Sequence, residues 1–319
     1  MIKMISENKF ESIFNLYFDG KLNFSDMLSL NKEKELKHLT IENREVIKCS
    51  EKLKKIHHFL NLFIFDNLSI QSDVVFSYRK NVNVVDAVVP HAQNKFIFKT
   101  DLNNFFKSIK RSEIYNNLIS QTDQIPIIDI VDYIDLICDL VTYHDELPLG
   151  FSTSPNISNA IFNQYDIKIK EYCLSKKIAY TRYADDILLS SDNYIDKNEY
   201  IELLNNILTI DGKRIFSLNS KKTKLIKKSK NMEIMGVKIL PDGKITVSKK
   251  IKNQVETKLY LFIKNQSDFI KYTKSNKISS INKLSGQLNY INTIDPEYIE
   301  KLKSKYGNSL VELFFRKAI

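Results

Sequence analysis

Two adjacent carboxylates, Asp185 and Asp186, stand between two apolar runs, Ile178-Ala-Tyr-Thr-Arg-Tyr-Ala184 before them and Ile187-Leu-Leu-Ser190 after. Carboxylates held side by side in apolar surroundings repel one another, or one takes up a proton, unless a cation compensates. The flanking runs read as two short strands over 178–191, which puts the acids at the tip of a hairpin. A third acid, Asp101, ends the strand-like stretch Lys95-Phe-Ile-Phe-Lys-Thr-Asp101, in which Phe96 and Phe98 alternate. If the two strands are neighbours, Asp101 faces Asp185. Strands hold such groups rigidly, and two or three hard oxygen ligands suffice for a magnesium ion that keeps much of its water. Taken alone, Ala184-Asp185-Asp186 is explained as well by an exposed turn, where aspartate is common.

The rest of the chain frames these strands with helices. Leu53, Ile56, Leu60 and Phe63 recur at helical spacing, and residues 1–70 read mainly as helices. A helix is expected from Leu102, a second over 127–143, and a third starting at Ser154-Pro155 with Ser154 as its cap. Residues 198–209 read as helix, and 234–239 and 244–247 as strands around the turn Pro241-Asp242-Gly243. From 249 onward the pattern is helical. With 7 Gly and 6 Pro there is little room for long flexible linkers, and no internal repeat is visible. The expected class is an α+β core with a helical C-terminal subdomain.

The net charge of +10 is concentrated, because residues 213–258 carry 14 Lys or Arg against three acids. A localised basic surface suits a polyanionic partner, and a solvated lysine-rich face is the alternative. No apolar run approaches the roughly 18 residues of a membrane span, so no membrane is expected. Met1-Ile-Lys-Met-Ile-Ser6 lacks a long apolar core and a cleavage site, and reads as no signal peptide. Cys49, Cys138 and Cys173 lie far apart without metal-ligand spacing and read as reduced thiols of a cytoplasmic protein.

Tyr183-Ala184-Asp185-Asp186 is similar to the YxDD signature of reverse transcriptases. The longer Tyr180-Thr-Arg-Tyr-Ala-Asp-Asp-Ile-Leu-Leu-Ser190 resembles the form in bacterial, especially retron, enzymes. Three further blocks fall in the family's order. Lys99-Thr-Asp-Leu-Asn-Asn-Phe-Phe-Lys-Ser-Ile109 resembles motif A. Leu147-Pro-Leu-Gly-Phe-Ser-Thr-Ser-Pro-Asn-Ile-Ser-Asn159 resembles motif B, and Leu218-Asn-Ser-Lys-Lys-Thr-Lys224 resembles motif D. One such block is a weak signal and four in order are a strong one. Retron likeness extends to Pro90-His91, to Met232-Glu-Ile-Met-Gly-Val-Lys-Ile239, to Gln287-Leu-Asn-Tyr290 and to Glu300–Gly307. The chain departs from the pattern at Leu149, where motif B usually has Gln. It departs also at Ala87-Val-Val-Pro-His91 and at Ile234-Met-Gly236, which lose residues tied to recognition of the retron's RNA.

The resemblance implies a right-hand polymerase with fingers, palm and helical thumb. The N-terminal helices and fingers would take 1–94, the palm 95–248 with interleaved fingers segments at about 110–145, and the thumb 249–319. It implies two Mg2+ ions, with Mn2+ as the alternative, in a site made by Asp101, Leu102, Asp185 and Asp186. Lys222 would donate a proton to the pyrophosphate leaving group, so the catalytic set is Asp101, Asp185, Asp186 and Lys222. Deoxynucleotides would meet Arg44, Asn104, Phe105, Phe106, Gly150 and Tyr183. Arg44 would clamp the triphosphate, Phe106 would exclude a 2′-hydroxyl, and Gly150 would allow close backbone approach. His91, Lys249, Lys250, Lys252 and Tyr290 would meet nucleic acid, together with the Lys221–Lys230 run. The implied partners are a cognate structured non-coding RNA, its DNA product (msDNA), a defence effector protein and a higher-order complex. Two alternatives remain: a defence or abortive-infection reverse transcriptase without msDNA, and a non-catalytic RNA-binding scaffold.

Overall fold

The computed structural model describes residues 8–41, 44–210, 212–228 and 232–315. The Met1–Ser6 stretch, and Ser229 and Lys230 of the basic run, lie outside the described residues. A four-stranded sheet carries the three acids, in the order Ala179–Tyr183, Asp186–Ser191, Phe96–Asp101, Lys224–Lys227. The inner two strands are buried along most of their length, because helices cover the sheet. The Ser154–Ser175 helix buries Ile157, Ile161, Phe162, Tyr165, Ile169 and Cys173, a stripe at helical spacing. Phe98 packs on Tyr200 of the Lys197–Ile207 helix, ring centroids 4.9 Å apart.

The chain divides into two compact units. The first holds Met1–Asn81, Phe98–Leu189 and Tyr194–Leu225. Its N-terminal part centres on Phe10, Phe14 and Phe59, all fully buried. The second holds Val82–Ile97, Ser190–Asn193 and Ile226–Ile319. It carries a small sheet, Ile245–Thr246, Val237–Ile239 and Met232–Ile234, followed by helices from Lys249 to Leu313. Ser248, Asn265, Asn276 and Asp295 each accept a backbone N–H at the start of a successive helix, which explains why that region breaks into separate helices. Among the described residues no helix is long and apolar enough to cross a membrane.

The α+β class is found, with local differences that have physical causes. Within the stretch read as helical lies a hairpin, Leu36–Ile41 paired antiparallel with Arg44–Cys49. Its first strand is exposed along nearly its whole length, so no buried face imposes a period of two on the sequence. No helix starts at Leu102. There the Leu102 N–H donates to Asp185 O (3.0 Å) and the Asn103 N–H to Ser217 O (2.8 Å), and Asn104 follows with φ 47°, a left-handed conformation that a right-handed helix cannot pass through. The helix begins instead at Arg111. In the 127–143 stretch a 3-10 turn at Ile130–Tyr133 precedes the α-helix Ile134–Val141. Ser154 is the first helical residue rather than the cap, and its hydroxyl donates to Pro148 O at 2.7 Å. The 234–239 stretch is split by a turn at Met235-Gly236, both with positive φ.

Candidate active site

The central strand ends at Asp101, beside the tip of the Ala179–Tyr183 and Asp186–Ser191 hairpin. The Leu102 N–H to Asp185 O bond fixes that juxtaposition. The Asp101 and Asp185 carboxyls lie in hydrogen-bonding contact, and Asp185 is pushed up to about 6. Loss of solvent is the main cause, reinforced by the negative charges of Asp101 and Asp186 and the shared hydrogen bond, and opposed by a backbone N–H. Asp101 has two further partners. Lys222 Nζ is 2.6 Å from Oδ2 and Asn219 Nδ2 is 3.1 Å from Oδ1, and the Asn219 N–H also donates to Asp101 O at 2.7 Å. The Lys222 ammonium is held above its ordinary value chiefly by that bond to Asp101.

Asp186 is placed differently, with its carboxylate on Lys99 Nζ at 2.9 Å. Among the described residues no three His, Cys, Asp or Glu side chains form a ready metal-holding group. The fold thus brings Asp101 and Asp185 together and turns Asp186 to a lysine. The converging pair is hard oxygen and partly desolvated, with the Lys222 ammonium as its neighbouring positive charge, which fits a divalent ion of the Mg2+ or Mn2+ kind. Leu102 is buried and apolar, with its N–H engaged, so it offers a cation only its carbonyl oxygen.

The acids open into a cleft of about 660 Å³, lined also by Arg44, Tyr78, Asn104, Phe105, Phe106, Leu149 and Lys222. Arg44 reaches it from the Arg44–Cys49 strand and is exposed. Phe106 is half-buried, 5.6 Å from Phe105 and 6.3 Å from Tyr78 by ring centroid. Phe105 belongs mainly to the core, against Phe162 and Phe216. Asn104 is exposed with φ 47°, and Tyr183 is half-buried just before the turn. Gly150 has φ +104°, and a Cβ there would come within 2.3 Å of Ile47 O. The close approach it permits is therefore to the Arg44–Cys49 strand, whose Ile47 N–H donates to Leu149 O at 2.8 Å.

The residues expected to meet nucleic acid fare unevenly. His91 is fully buried, its Nδ1 2.6 Å from Ser190 Oγ, and burial lowers it to about 3. A neutral ring inside the second unit does not reach a nucleic acid, which corrects that expectation. Lys252 gives its charge to Asp295 at 2.7 Å and lies 4.2 Å over the Tyr298 ring. The Tyr290 hydroxyl donates to Gly236 O at 3.1 Å, so the tyrosine serves packing. Lys249 and Lys250 are exposed in the first turn of their helix.

Several site residues carried no role in the sequence reading. Asn219 and Lys99 sit on the acids without a distinguishing local signal. Tyr78 has φ 58°, lines the cleft, and is pushed up to about 12 by desolvation and then by the Asp185 charge. Arg182 is the legible one, because a guanidinium within an apolar strand needs a buried partner. That partner is Asp166, at 2.6 Å.

Residues 32–239 match the family described as reverse transcriptase (RNA-dependent DNA polymerase). The chain belongs to the reverse transcriptase family. Three relatives from Escherichia coli are retron enzymes. This reverse transcriptase is 29% identical over 274 residues to the retron Ec73 reverse transcriptase, covering 82% of this chain and 83% of that one. Against the retron Ec83 enzyme it is 25% identical over 252 residues, 75% of each chain, and against the retron Ec86 enzyme 25% over 281, 83% and 78%. The likeness to bacterial retron-type reverse transcriptases read from the motifs is thus found, and with it the RNA-directed DNA polymerase class. Among solved structures, an apo telomerase from Candida tropicalis aligns with TM-score 0.48 and 10% identity over 81% of this chain; the chain spans 56% of that protein.

Proposed function

We propose that this reverse transcriptase copies an RNA template into DNA in the Asp101–Asp185 cleft, in the manner of a retron enzyme. The observation that carries the site assignment is the convergence of Asp101 and Asp185 in one cleft with Arg44 and Phe106. Asp101 and Asp185 would hold the divalent ions, Mg2+ or Mn2+, with Asp186 supporting and the Leu102 carbonyl beside them. Bound there, such ions supply activation of the attacking hydroxyl and a hold on the triphosphate.

The chain's own residues do the rest. Arg44, exposed at the lip, offers a planar fork to phosphate oxygens. The Phe106 ring, backed by Phe105, closes the floor where a ribose 2′-hydroxyl would sit. Lys222 keeps its proton on Asp101 and is within reach to deliver it to the leaving pyrophosphate once Asp101 is otherwise engaged. Lys249 and Lys250 supply salt-dependent, sequence-independent grip on the backbone. The division proposed is fingers in 1–94 and about 110–145, palm within 95–248, thumb from 249.

By likeness to the retron relatives, the template is a cognate structured RNA. The product is msDNA, and the RNA–DNA pairs with a defence effector in the cytoplasm. Primer extension on an RNA template tests the site: wild type should synthesise DNA and Asp185→Asn should not, and equal synthesis by both removes the assignment. Sequencing the nucleic acid that co-purifies with the chain tests the retron reading, which requires a branched or hybrid RNA–DNA species.

A further inference from the structure

Beneath the turn that carries Asp185 lies a buried polar cluster that the proposed reaction does not use. Arg182 is fully buried. Its Nε and Nη2 donate to the two Asp166 carboxylate oxygens at 2.8 and 2.6 Å, and its Nη1 donates to Asn159 Oδ1 at 3.0 Å and to Ala184 O at 3.1 Å. The guanidinium lies 4.6 Å over the Phe162 ring, and Asp166 also accepts the Tyr180 hydroxyl. Asn159, Phe162 and Asp166 come from one face of the Ser154–Ser175 helix.

A buried ion pair stabilises no more than a well-packed apolar pair of similar shape, so stability alone does not explain this one. Its geometry suggests another role. Ala184 has φ 57°, a left-handed conformation that is unfavourable for a non-glycine residue and persists only where surroundings enforce it. The Arg182 bond to the Ala184 carbonyl is such an enforcement, one residue from Asp185. Asn159 makes a second tie. Its Nδ2 donates to Ser77 O at 3.0 Å, next to Tyr78, a left-handed residue on the cleft at φ 58°. The Val74–Phe76 backbone also runs along Arg182, which donates to Val74 O at 2.8 Å and accepts from Phe76 N–H at 3.0 Å.

We propose that Arg182, anchored by Asp166 and Asn159, is a positioning residue that aims the Asp185 carboxylate toward its cation, with Asn159 tying that aim to the Tyr78 wall. The proposal rests on the polymerase reading of the same cleft. It assigns the buried charge to precision of the turn, the way outer hydrogen-bond partners orient metal-holding groups in general.

The test uses the full chain with Asn159→Ala, Arg182→Lys and Tyr180→Phe. Thermal melting is recorded first, then Mn2+ binding to the free protein by electron paramagnetic resonance, then primer extension against Mg2+ concentration. Asn159→Ala and Arg182→Lys should weaken Mn2+ binding about 10- to 100-fold and raise the half-saturating Mg2+ to match, as loss of an outer partner does. Tyr180→Phe leaves both Nη1 bonds intact and should bind as wild type. Where Arg182→Lys melts below the assay temperature, Asn159→Ala decides, with Asn159→Ser in reserve. Wild-type Mn2+ affinity in a folded Asn159 variant overturns the proposal. Weakened Mn2+ binding in a chain whose wild type extends no primer would uphold the aim while removing the polymerase reading.

Discussion

Asp185→Asn should make the metal-free protein more stable while abolishing DNA synthesis. The Asp185 carboxyl is shifted from 3.8 to about 6, first by burial and then by Asp101 and Asp186. Its folded value lies above its unfolded one, so between those two values the folded chain binds more protons. Stability therefore falls as pH rises through the window from about 4 to about 6, and the penalty is fully present above it. At about 1.36 kcal/mol per unit the shift is worth about 3 kcal/mol, and screening at a carboxyl that partly reaches solvent brings this to about 1.5 kcal/mol. An amide at 185 carries no charge and still offers an N–H to Asp101. In chelator at pH 7.5 the variant should melt about 3 °C above wild type, the shift expected of about 1.5 kcal/mol in a chain of this size. At pH 4 the gap should close, because wild-type Asp185 is then protonated. Added Mn2+ should raise the wild-type melting temperature more than the variant's, since binding to the folded state alone stabilises it. Circular dichroism melts in chelator and in Mn2+, at both pH values, provide the readout. A variant no more stable than wild type at pH 7.5, with the same difference at pH 4, refutes the electrostatic reasoning.

Three further outcomes follow from other parts of the structure. Gly150→Ala forces a Cβ within 2.3 Å of Ile47 O at φ +104° and should cost about 2 kcal/mol or more in urea denaturation; wild-type behaviour would show that the loop yields freely. Phe106→Ala should lower discrimination against ribonucleotides about tenfold or more in single-nucleotide extension, and unchanged discrimination would remove Phe106 as the gate. Burial lowers His57 to about 4 and His91 to about 3, so the unfolded chain takes up protons first as pH falls below about 6.5. In an Asp185→Asn background, which removes the opposing carboxyl, the urea midpoint should therefore drop steadily between pH 6.5 and 4.5. A flat midpoint would show that the two rings are not held neutral in the fold.

What the sequence conveyed, and what it did not, divides along physical lines. The acid-bearing strands were legible because apolar runs fix a strand and the acids interrupt them; that Asp101 and Asp185 meet depends on the two strands being neighbours, which tertiary packing decides. Elements without a buried face were not legible. The Leu36–Ile41 strand is exposed nearly throughout, so its backbone pairing with Arg44–Cys49 leaves no hydrophobic alternation to read. The segment after Asp101 failed for a related reason: its backbone donors go to Asp185 and Ser217, partners that local propensity does not register. In the second unit a lysine's type says nothing of whether its ammonium faces solvent, as Lys250 does, or a neighbouring acid, as Lys252 does. His91 misled in the same way, since a histidine beside a loop is equally at home as a neutral core ring.

Arg182 sits at the boundary between these cases. That a guanidinium inside an apolar strand must find an anion follows from desolvation alone, so the need was readable. The identity of the anion was not. Asp166 lies 16 residues away and Asn159 lies 23 away. They meet Arg182 only because the Ser154–Ser175 helix packs with that face toward the hairpin. The same packing delivers the spare Nη1 proton to the Ala184 carbonyl. Residue type thus announced a demand, and tertiary packing decided that meeting it would also hold the turn on which Asp185 stands.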